Sequence, residues 1–319
     1  MAELLLKARP TAAQLADRLR LPAPDGLELY LDLADVATET AMEEAICTVQ
    51  RAVPTGCTLL VEGPVRSLDG SFFETSRDSA ADRELVRRLV ALSRRLGARA
   101  INLHLIQPRA GFGALSLEQR EQALAACLPF TRFFVEQVRT AGMIPTLENM
   151  PPVLRMREGG FYASVIGMPA EDLLWLVERV PGLRLCLDLS HAQLFVNACR
   201  LGQRLRLPPR YAPLLRFVRR LPGVSSVGEY AERLGPALLT VHVANASGML
   251  GEGRSYNRGD LDLDALLPRL AAQAEYLVTE TLERRPERAR LMRQALRRMR
   301  AALAATPGRS RSVEQVWGG

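Results

Sequence analysis

The sequence predicts a single closed barrel of eight parallel β-strands with helices between them, a (β/α)8 fold. Short β-rich runs alternate with longer helical runs from one end of the chain to the other, and eight such pairs can be counted. The 319 residues contain no repeat, low-complexity tract or linker, and this length suits one large α/β barrel. We therefore expect residues 1–305 to form the barrel and residues 306–319 to form a loose tail.

The predicted strands share a short apolar run bounded by polar or turn-forming residues. They are Leu4–Ala8, Gly26–Asp32, Thr58–Glu62, Arg99–Ile106, Ile144–Glu148, Arg184–Asp188, Ala237–Val243 and Glu275–Thr281. The predicted helices between them are Thr11–Leu19, Ala37–Val53, Ala80–Leu96, Ser116–Thr140, Pro169–Val180, Asp262–Gln273 and Pro286–Ala305. The long segment from His191 to Gly235 is expected to hold two or three helical pieces, broken near Pro208, Pro209 and Pro222.

The residues at the predicted helix ends agree with these boundaries. Ser116, with Glu118 and Gln119 behind it, is typical of a residue that caps a helix start. Glycines stand where three helices should end before the next strand, at Gly97, Gly142 and Gly182.

Composition excludes several classes of protein. Hydrophobic residues make up 48% of the chain and charged residues 24%, as in ordinary globular proteins. No apolar run approaches the roughly 20 residues of a membrane helix, and the segment from Met1 to Lys7 lacks the pattern of a secretory signal. The five cysteines are odd in number and show no C-x-x-C spacing, so we expect free thiols and a cytoplasmic location.

The net charge of +7 comes from arginine, because Lys7 is the only lysine. Two interpretations compete: affinity for phosphate or nucleic acid, and a solvated arginine surface. The second is favoured, because many of the arginines fall on the exposed side of the last helix, so nucleic acid is not expected as a partner. A Schiff-base mechanism could use only Lys7 and is therefore disfavoured. A homo-oligomer is compatible with the sequence.

Ionisable residues mark the end of every predicted strand from the third to the eighth. They are Glu62, His104, Glu148, Asp188, His242 and Glu280. Residues two apart share a face of a strand, and those on the same face as these groups are small or weakly polar, so the pattern turns the ionisable groups into the barrel. A lone glutamate there is usually salt-bridged, and a lone histidine is usually a satisfied core group. Four such groups on successive strands instead favour a divalent metal bound by Glu148, Asp188, His242 and Glu280, because buried charge is costly unless it is paired.

The chain resembles the xylose-isomerase-like TIM-barrel family of sugar phosphate isomerases and epimerases. The matching segments, in order along the chain, are Thr146–Asn149 (TLEN), Leu187–His191 (LDLSH), Thr240–Val243 (TVHV) and Thr279–Thr281 (TET). The resemblance implies that Glu148, Asp188, His242 and Glu280 bind the metal and that Glu148 and Glu280 move the substrate proton. It also implies that His191 contacts a substrate oxygen. His104 and Glu62 are further candidates for substrate binding.

One position departs from the family pattern. The ketose 3-epimerases of this family carry a substrate-binding arginine six residues after the metal histidine, where this chain has Gly248. Arg254 and Arg258, in the following Gly-rich loop, are candidates to replace it. Arg66 and Arg109 follow the third and fourth strands and could contact an acidic or phosphorylated substrate, although solvated loop arginines are the simpler interpretation.

The expected activity is a metal-dependent isomerisation or epimerisation of a small sugar, keto-sugar or cyclitol through an enediolate. One divalent metal is expected, with Mn²⁺ first and Mg²⁺, Co²⁺ or Zn²⁺ as alternatives, because the ligand set has three carboxylates and one imidazole. The substrate would be a small polyhydroxy carbonyl compound, free or phosphorylated. Alternatives are an inosose-dehydratase-like lyase, a non-catalytic barrel, and an apurinic-site endonuclease. The endonucleases hold three zinc ions with several histidines, whereas this chain has only His104, His191 and His242.

Overall fold

In the computed structural model, which describes residues 2–113, 115–155, 160–201 and 209–305, eight parallel strands close into a barrel. The barrel strands are β1 (Glu3–Ala8), β2 (Gly26–Tyr30), β3 (Thr58–Glu62), β4 (Ala100–His104), β5 (Ile144–Glu148), β6 (Arg184–Asp188), β7 (Leu238–Val243) and β8 (Tyr276–Thr279). Each strand pairs with the next along the chain, and β8 pairs with β1. The predicted (β/α)8 fold is confirmed. The predicted tail, residues 306–319, lies outside the described residues.

Helices follow the barrel strands on the outside, with extra helical pieces in two of the connections. They are α1 (Ala12–Arg18), α2 (Leu33–Val36), α3 (Glu39–Ala52), α4 (Ala80–Leu96), α5 (Leu117–Thr140), α6 (Ala170–Arg179), α7 (Leu189–Leu201), α8 (Ala212–Val218), α9 (Val227–Leu234), α10 (Leu263–Leu270) and α11 (Arg290–Ala304). The three pieces α7, α8 and α9 occupy the long segment that the prolines were predicted to break. None of the described helices is both long and apolar enough to cross a membrane.

Two helix starts differ from the prediction by more than one residue. The predicted helix Ala37–Val53 begins at Glu39 in the structure. It is preceded by the separate short helix α2, whose start is capped by Asp32 and Asp35. The last helix begins at Arg290 and not at Pro286, because the Glu283 carboxylate accepts hydrogen bonds from the backbone N–H groups of Leu291 and Met292. A carboxylate from an earlier loop therefore satisfies the first turn of α11.

The start of α5 is capped as the sequence predicts. Ser116 Oγ accepts from the Gln119 backbone N at 3.1 Å, and Gln119 Oε1 accepts from the Ser116 backbone N at 3.2 Å. We expect Ser116→Ala to lower the free energy of unfolding by about 1 kcal/mol, because it removes one of these bonds. Urea denaturation would measure the change, with Ser255→Ala as a control at a serine outside any helix whose hydroxyl makes no hydrogen bond within the described part of the chain. A difference below the error of the two curves would contradict the capping role.

Apolar residues fill the barrel interior toward the amino ends of the strands. The inner cluster contains Leu5, Leu60, Ala100, Leu239, Tyr276 and Val278. A much larger cluster lies between the strands and the helices. Because strand side chains alternate between faces, the next inward positions toward the carboxyl ends belong to polar residues, such as Lys7 after Leu5 and Glu280 after Val278. The ionisable groups therefore lie above this apolar cluster, at the end of the barrel formed by the carboxyl ends of the strands.

Loops that follow the strands surround this end. A three-stranded antiparallel sheet combines Pro108–Ala110, after β4, with Leu154–Arg155 and Phe161–Ser164, after β5. A two-stranded hairpin, Asn245–Ser247 with Gly251–Arg254, follows β7. In (β/α)8 barrels the loops at this end carry the functional residues.

Candidate metal centre

Four side chains from neighbouring strands converge at the carboxyl end of the barrel. Glu148, Asp188, His242 and Glu280 each offer one ligand atom, and these atoms lie within 4.8 Å of one another. The first three are at most 2% exposed, whereas the Glu280 side chain is 27% exposed. The structure therefore brings together the four residues that the sequence predicted as metal ligands, with the open side of the group at Glu280.

Hydrogen bonds from neighbouring residues hold two of these carboxylates. Asp188 caps α7, because its Oδ1 accepts from the His191 backbone N at 2.6 Å. Asn149 binds the backbone of Asp188 on both sides, with distances of 2.7 Å to the N and 3.1 Å to the O. The Asn102 side-chain amide donates to Glu148 Oε2 at 2.5 Å. The carboxylates are thus oriented before any ligand binds.

The donor set fits a divalent cation. His242 Nδ1 lies 2.6 Å from Glu280 Oε2 and 3.3 Å from Glu148 Oε2. Nevertheless Glu148 Oε1, His242 Nδ1 and Glu280 Oε2 are buried and have no hydrogen-bond partner among the described residues. Buried polar atoms left in this state are costly, and a metal ion would satisfy all three. Three carboxylates and one imidazole are ligands suited to Mn²⁺, Mg²⁺ or Co²⁺.

Burial and charge shift the pKa values of these groups in different directions. Burial opposes ionisation of Glu148, but His242 and His104 outweigh it and hold the pKa well below its usual range. Burial raises the pKa of Asp188 to about 7 despite the nearby His191. Burial also opposes the charge of His242, but Cys186 and the surrounding carboxylates raise its pKa well above the ordinary value. The metal-free cluster therefore keeps protons on some of the groups that would bind a cation.

Two further charged residues belong to the same cluster and were not predicted as part of it. The Lys7 ammonium lies 2.5 Å from Glu62 Oε2 and 3.8 Å from Glu28 Oε2, and it donates a hydrogen bond to Glu280 Oε1. Burial disfavours this charge, but the carboxylates, led by Glu280, raise the pKa of Lys7 well above its usual value. Glu28 Oε2 in turn lies 2.8 Å from His242 Nε2.

A signal for these two residues was present in the sequence. The alternation of side chains along a strand turns both residues into the barrel, because Lys7 is two positions after the inward Leu5 and Glu28 stands between the outward Leu27 and Leu29.

The predicted substrate-binding residues Glu62, His104 and His191 also lie in the cluster. His104 Nε2 is 3.9 Å from Glu62 Oε1 and 3.8 Å from Glu148 Oε1. His191 Nδ1 lies 2.8 Å from the Asn149 carbonyl oxygen and 3.5 Å from Glu148 Oε1. Burial raises the pKa of Glu62 well above its usual value, although Lys7 acts in the opposite direction.

The predicted Arg254 and Arg258 are placed differently. Arg254 ends the hairpin after β7 and Arg258 lies in the turn that follows, and both side chains are exposed while the cluster is buried. The same hairpin brings Glu252 Oε1 to 3.5 Å from His191 Nε2. Gly248, at the hairpin turn, has a φ of +60°, which disfavours most side chains there.

The two other loop arginines lie outside the buried cluster. The Arg66 guanidinium stacks over the Phe72 ring, 3.9 Å from its centre, and donates to the Gly70 carbonyl oxygen. Arg109 is exposed on the three-stranded sheet.

Comparison with known proteins identifies a family and several structures to which this chain is similar. A family model for the xylose isomerase-like TIM barrel matches residues 25–302. No curated protein matches the sequence. A D-tagatose 3-epimerase-like protein shares 15% identity at a TM-score of 0.62, with 95% of this chain and 98% of that chain covered. The E. coli 3-keto-D-glucoside 4-epimerase YcjR shares 14% identity at a TM-score of 0.58, with 95% and 99% covered.

A protein named for a different activity is as similar to this chain as the 4-epimerase is. A family 2 AP endonuclease from Brucella melitensis shares 14% identity at a TM-score of 0.58, with 90% of this chain and 96% of that chain covered. At such low identity these similarities demonstrate a common fold and leave the chemistry to the site itself.

Proposed function

Since the chain belongs to the xylose isomerase-like TIM barrel family, we propose that it is a divalent-metal-dependent isomerase or epimerase. The substrate is a small polyhydroxy carbonyl compound, such as a sugar, keto-sugar or cyclitol, free or phosphorylated. One observation carries the proposal: Glu148, Asp188, His242 and Glu280 converge within 4.8 Å, and three of them, Glu148, His242 and Glu280, keep buried ligand atoms without hydrogen-bond partners among the described residues. The sugar epimerases among the structural neighbours support the choice of reaction.

Those four residues would hold the metal ion, with Mn²⁺ as first choice and Mg²⁺, Co²⁺ or Zn²⁺ as alternatives. When bound, such an ion polarises a substrate carbonyl and stabilises the negative charge of an enediolate. The exposed part of Glu280 marks the side from which a substrate would reach it.

Glu148 and Glu280 are the proposed proton-transfer groups. Their pKa values are held below the usual range, in each case against the effect of burial, so both carboxylates are ionised and able to accept a proton near neutral pH. They project from β5 and from the end of β8, which are separated by two strands around the barrel. One carboxylate would remove the proton beside the carbonyl. The other, having first taken up a proton from solvent, would deliver that proton to the opposite face, and exchange with solvent would then restore both groups.

The remaining polar groups would position the substrate. His191 is oriented by the Asn149 carbonyl oxygen on one side and faces Glu252 on the other. His104 on β4 and Glu62 on β3 would contact further hydroxyl groups. Arg254 and Arg258, exposed beyond the hairpin, would contact a phosphate only if the substrate extends out of the barrel.

The test combines metal analysis with a substrate screen in deuterated water. Purified protein is expected to bind one Mn²⁺ ion per chain and to incorporate deuterium beside the carbonyl of one of a panel of ketoses and cyclitols. A product lighter by one water molecule would identify the dehydratase alternative, and cleavage of abasic DNA would identify the endonuclease. Protein that binds no divalent metal would contradict the proposal.

Metal affinity is expected to rise with pH. Asp188, with a pKa of about 7, and His242, whose pKa is raised, must both lose their protons before they can bind a cation. As the pH falls through 7 the proton of Asp188 returns, and protonation of His242 acts in the same direction. We therefore expect Mn²⁺ to bind at least about tenfold more weakly at pH 6 than at pH 8. Titration calorimetry in two buffers with different ionisation enthalpies would measure both the affinity and the protons released. Equal affinities at the two pH values would contradict the assignment of these ligands.

A further inference from the structure

Lys7 is the only lysine among the 42 lysine and arginine residues of the chain. It lies on β1 with a side chain only 9% exposed, enclosed by the carboxylates of Glu28, Glu62 and Glu280. A compact ammonium group can donate to several carboxylates in a small buried space, whereas the planar guanidinium of arginine is larger and fixed in shape. The one lysine therefore occupies a place that arginine fits poorly.

The imidazole of His242 stands between two groups of carboxylates. Its Nδ1 faces Glu280 and Glu148, at 2.6 and 3.3 Å, which belong to the proposed metal site. Its Nε2 faces Glu28 and Glu62, at 2.8 and 3.9 Å. Glu28, Glu62 and His242 also place ligand atoms within 4.8 Å of one another, which is close enough to hold a cation of their own.

The Lys7 ammonium already occupies this second group, 2.5 Å from Glu62 Oε2 and 3.8 Å from Glu28 Oε2. We propose that Lys7 takes the place of a second divalent ion between Glu28, Glu62 and His242, so that the barrel holds a single metal ion on the other side of His242. This inference rests on the proposed function, because it takes the site at Glu148, Asp188, His242 and Glu280 as the one that binds metal.

The charges in the cluster support this division. Lys7 forms its described ion pairs with Glu28, Glu62 and Glu280, and among the residues in the structure it forms none with Glu148 or Asp188. Those two carboxylates have only the histidines as described ionic neighbours, and they still need a cation. A second divalent ion beside the ammonium would instead be repelled by it.

Lys7 also orients Glu280. The ammonium binds Oε1 of this carboxylate, which leaves Oε2 directed at His242 Nδ1 and the proposed metal site. Lys7 is thus a positioning residue, whose fixed charge holds one oxygen of Glu280 and leaves the other for the metal ion or the substrate proton.

The experiment counts Mn²⁺ ions. Wild-type protein, Lys7→Met and the triple variant Lys7→Met/Glu28→Gln/Glu62→Gln would be dialysed against Mn²⁺ and examined by elemental analysis and by electron paramagnetic resonance. Methionine is similar in length to lysine and carries no charge. We expect one ion per chain in the wild type, two spin-coupled ions in Lys7→Met, and one again in the triple variant, which lacks the second pair of carboxylates.

The outcomes separate the inference from the proposed function. Two ions in the wild type, or one in folded Lys7→Met, would overturn the role of Lys7 and leave the metal site intact. No ion in the wild type would overturn the proposed function and the inference together.

A second comparison does not depend on the folding of Lys7→Met. With Lys7 in place, Glu28→Gln should change the affinity for Mn²⁺ by less than about tenfold. Glu148→Gln should weaken it by more than about 100-fold, which exceeds the effect of a group that only supports a ligand. An equal loss in Glu28→Gln would place the ion on the Lys7 side of His242 and overturn the proposal.

Discussion

Glu280→Gln is expected to abolish solvent-deuterium exchange into the substrate, with a loss of roughly 10²–10⁴-fold, the usual contribution of a general acid or base. The carboxylate is ionised because Lys7 and His242 hold its pKa low against the effect of burial. Glutamine has the same shape but cannot accept a proton. Because it also removes a charge from the proposed metal site, exchange would be measured at a Mn²⁺ concentration that saturates the variant. Exchange would be followed by nuclear magnetic resonance with the substrate found in the screen.

Two controls accompany this measurement. Glu275→Gln makes the same change just before β8, at the opposite end of the barrel, on an exposed side chain, and should leave exchange unchanged. The Mn²⁺ content of both variants would be adjusted to that of the wild type, so that lost metal is not mistaken for lost proton transfer. Exchange in Glu280→Gln within about twofold of wild type would remove Glu280 from the proton-transfer step.

Asp188→Asn is expected to weaken Mn²⁺ binding by more than about 100-fold while the metal-free protein stays as stable as the wild type. Asp188 caps a helix in the structure and is a proposed metal ligand, and this substitution separates the two roles. Its Oδ1 caps α7 by accepting from the His191 backbone N, and asparagine caps a helix about as well as aspartate. Only the negative charge offered to the cation is lost, and one of several mutually repelling carboxylates is removed.

The matched control is Asp262→Asn. Asp262 caps α10 by accepting from the Ala265 backbone N at 3.1 Å, and it lies outside the buried cluster. Titration calorimetry would give the affinity of each variant for Mn²⁺, and thermal denaturation in the presence of EDTA would give the stability of the metal-free form. If Asp188→Asn and Asp262→Asn bound Mn²⁺ equally well, Asp188 would not be a ligand.

Much of the barrel was predictable because its strands carry a local pattern. Apolar runs with a turn signal at each end predicted all eight strands, and α4 has the predicted bounds, Ala80–Leu96. Boundaries that depend on distant residues were less predictable. The start of α11 at Arg290 is determined by the Glu283 carboxylate from the preceding loop, which no propensity within the helix reveals.

The sequence by itself determined which side chains face the inside of the barrel, because alternation along each strand is a property of neighbouring residues. Closure of the barrel decided which of them meet. Pairing of β1 with β8 brings Lys7 to Glu280 across 273 positions of the chain, and pairing of β1 with β2 brings Glu28 to the same point. The hairpin after β7 likewise brings Glu252 to His191. Such contacts depend on the register and curvature of the whole sheet, so only the tertiary structure shows that a lysine shares the site with the predicted ligands.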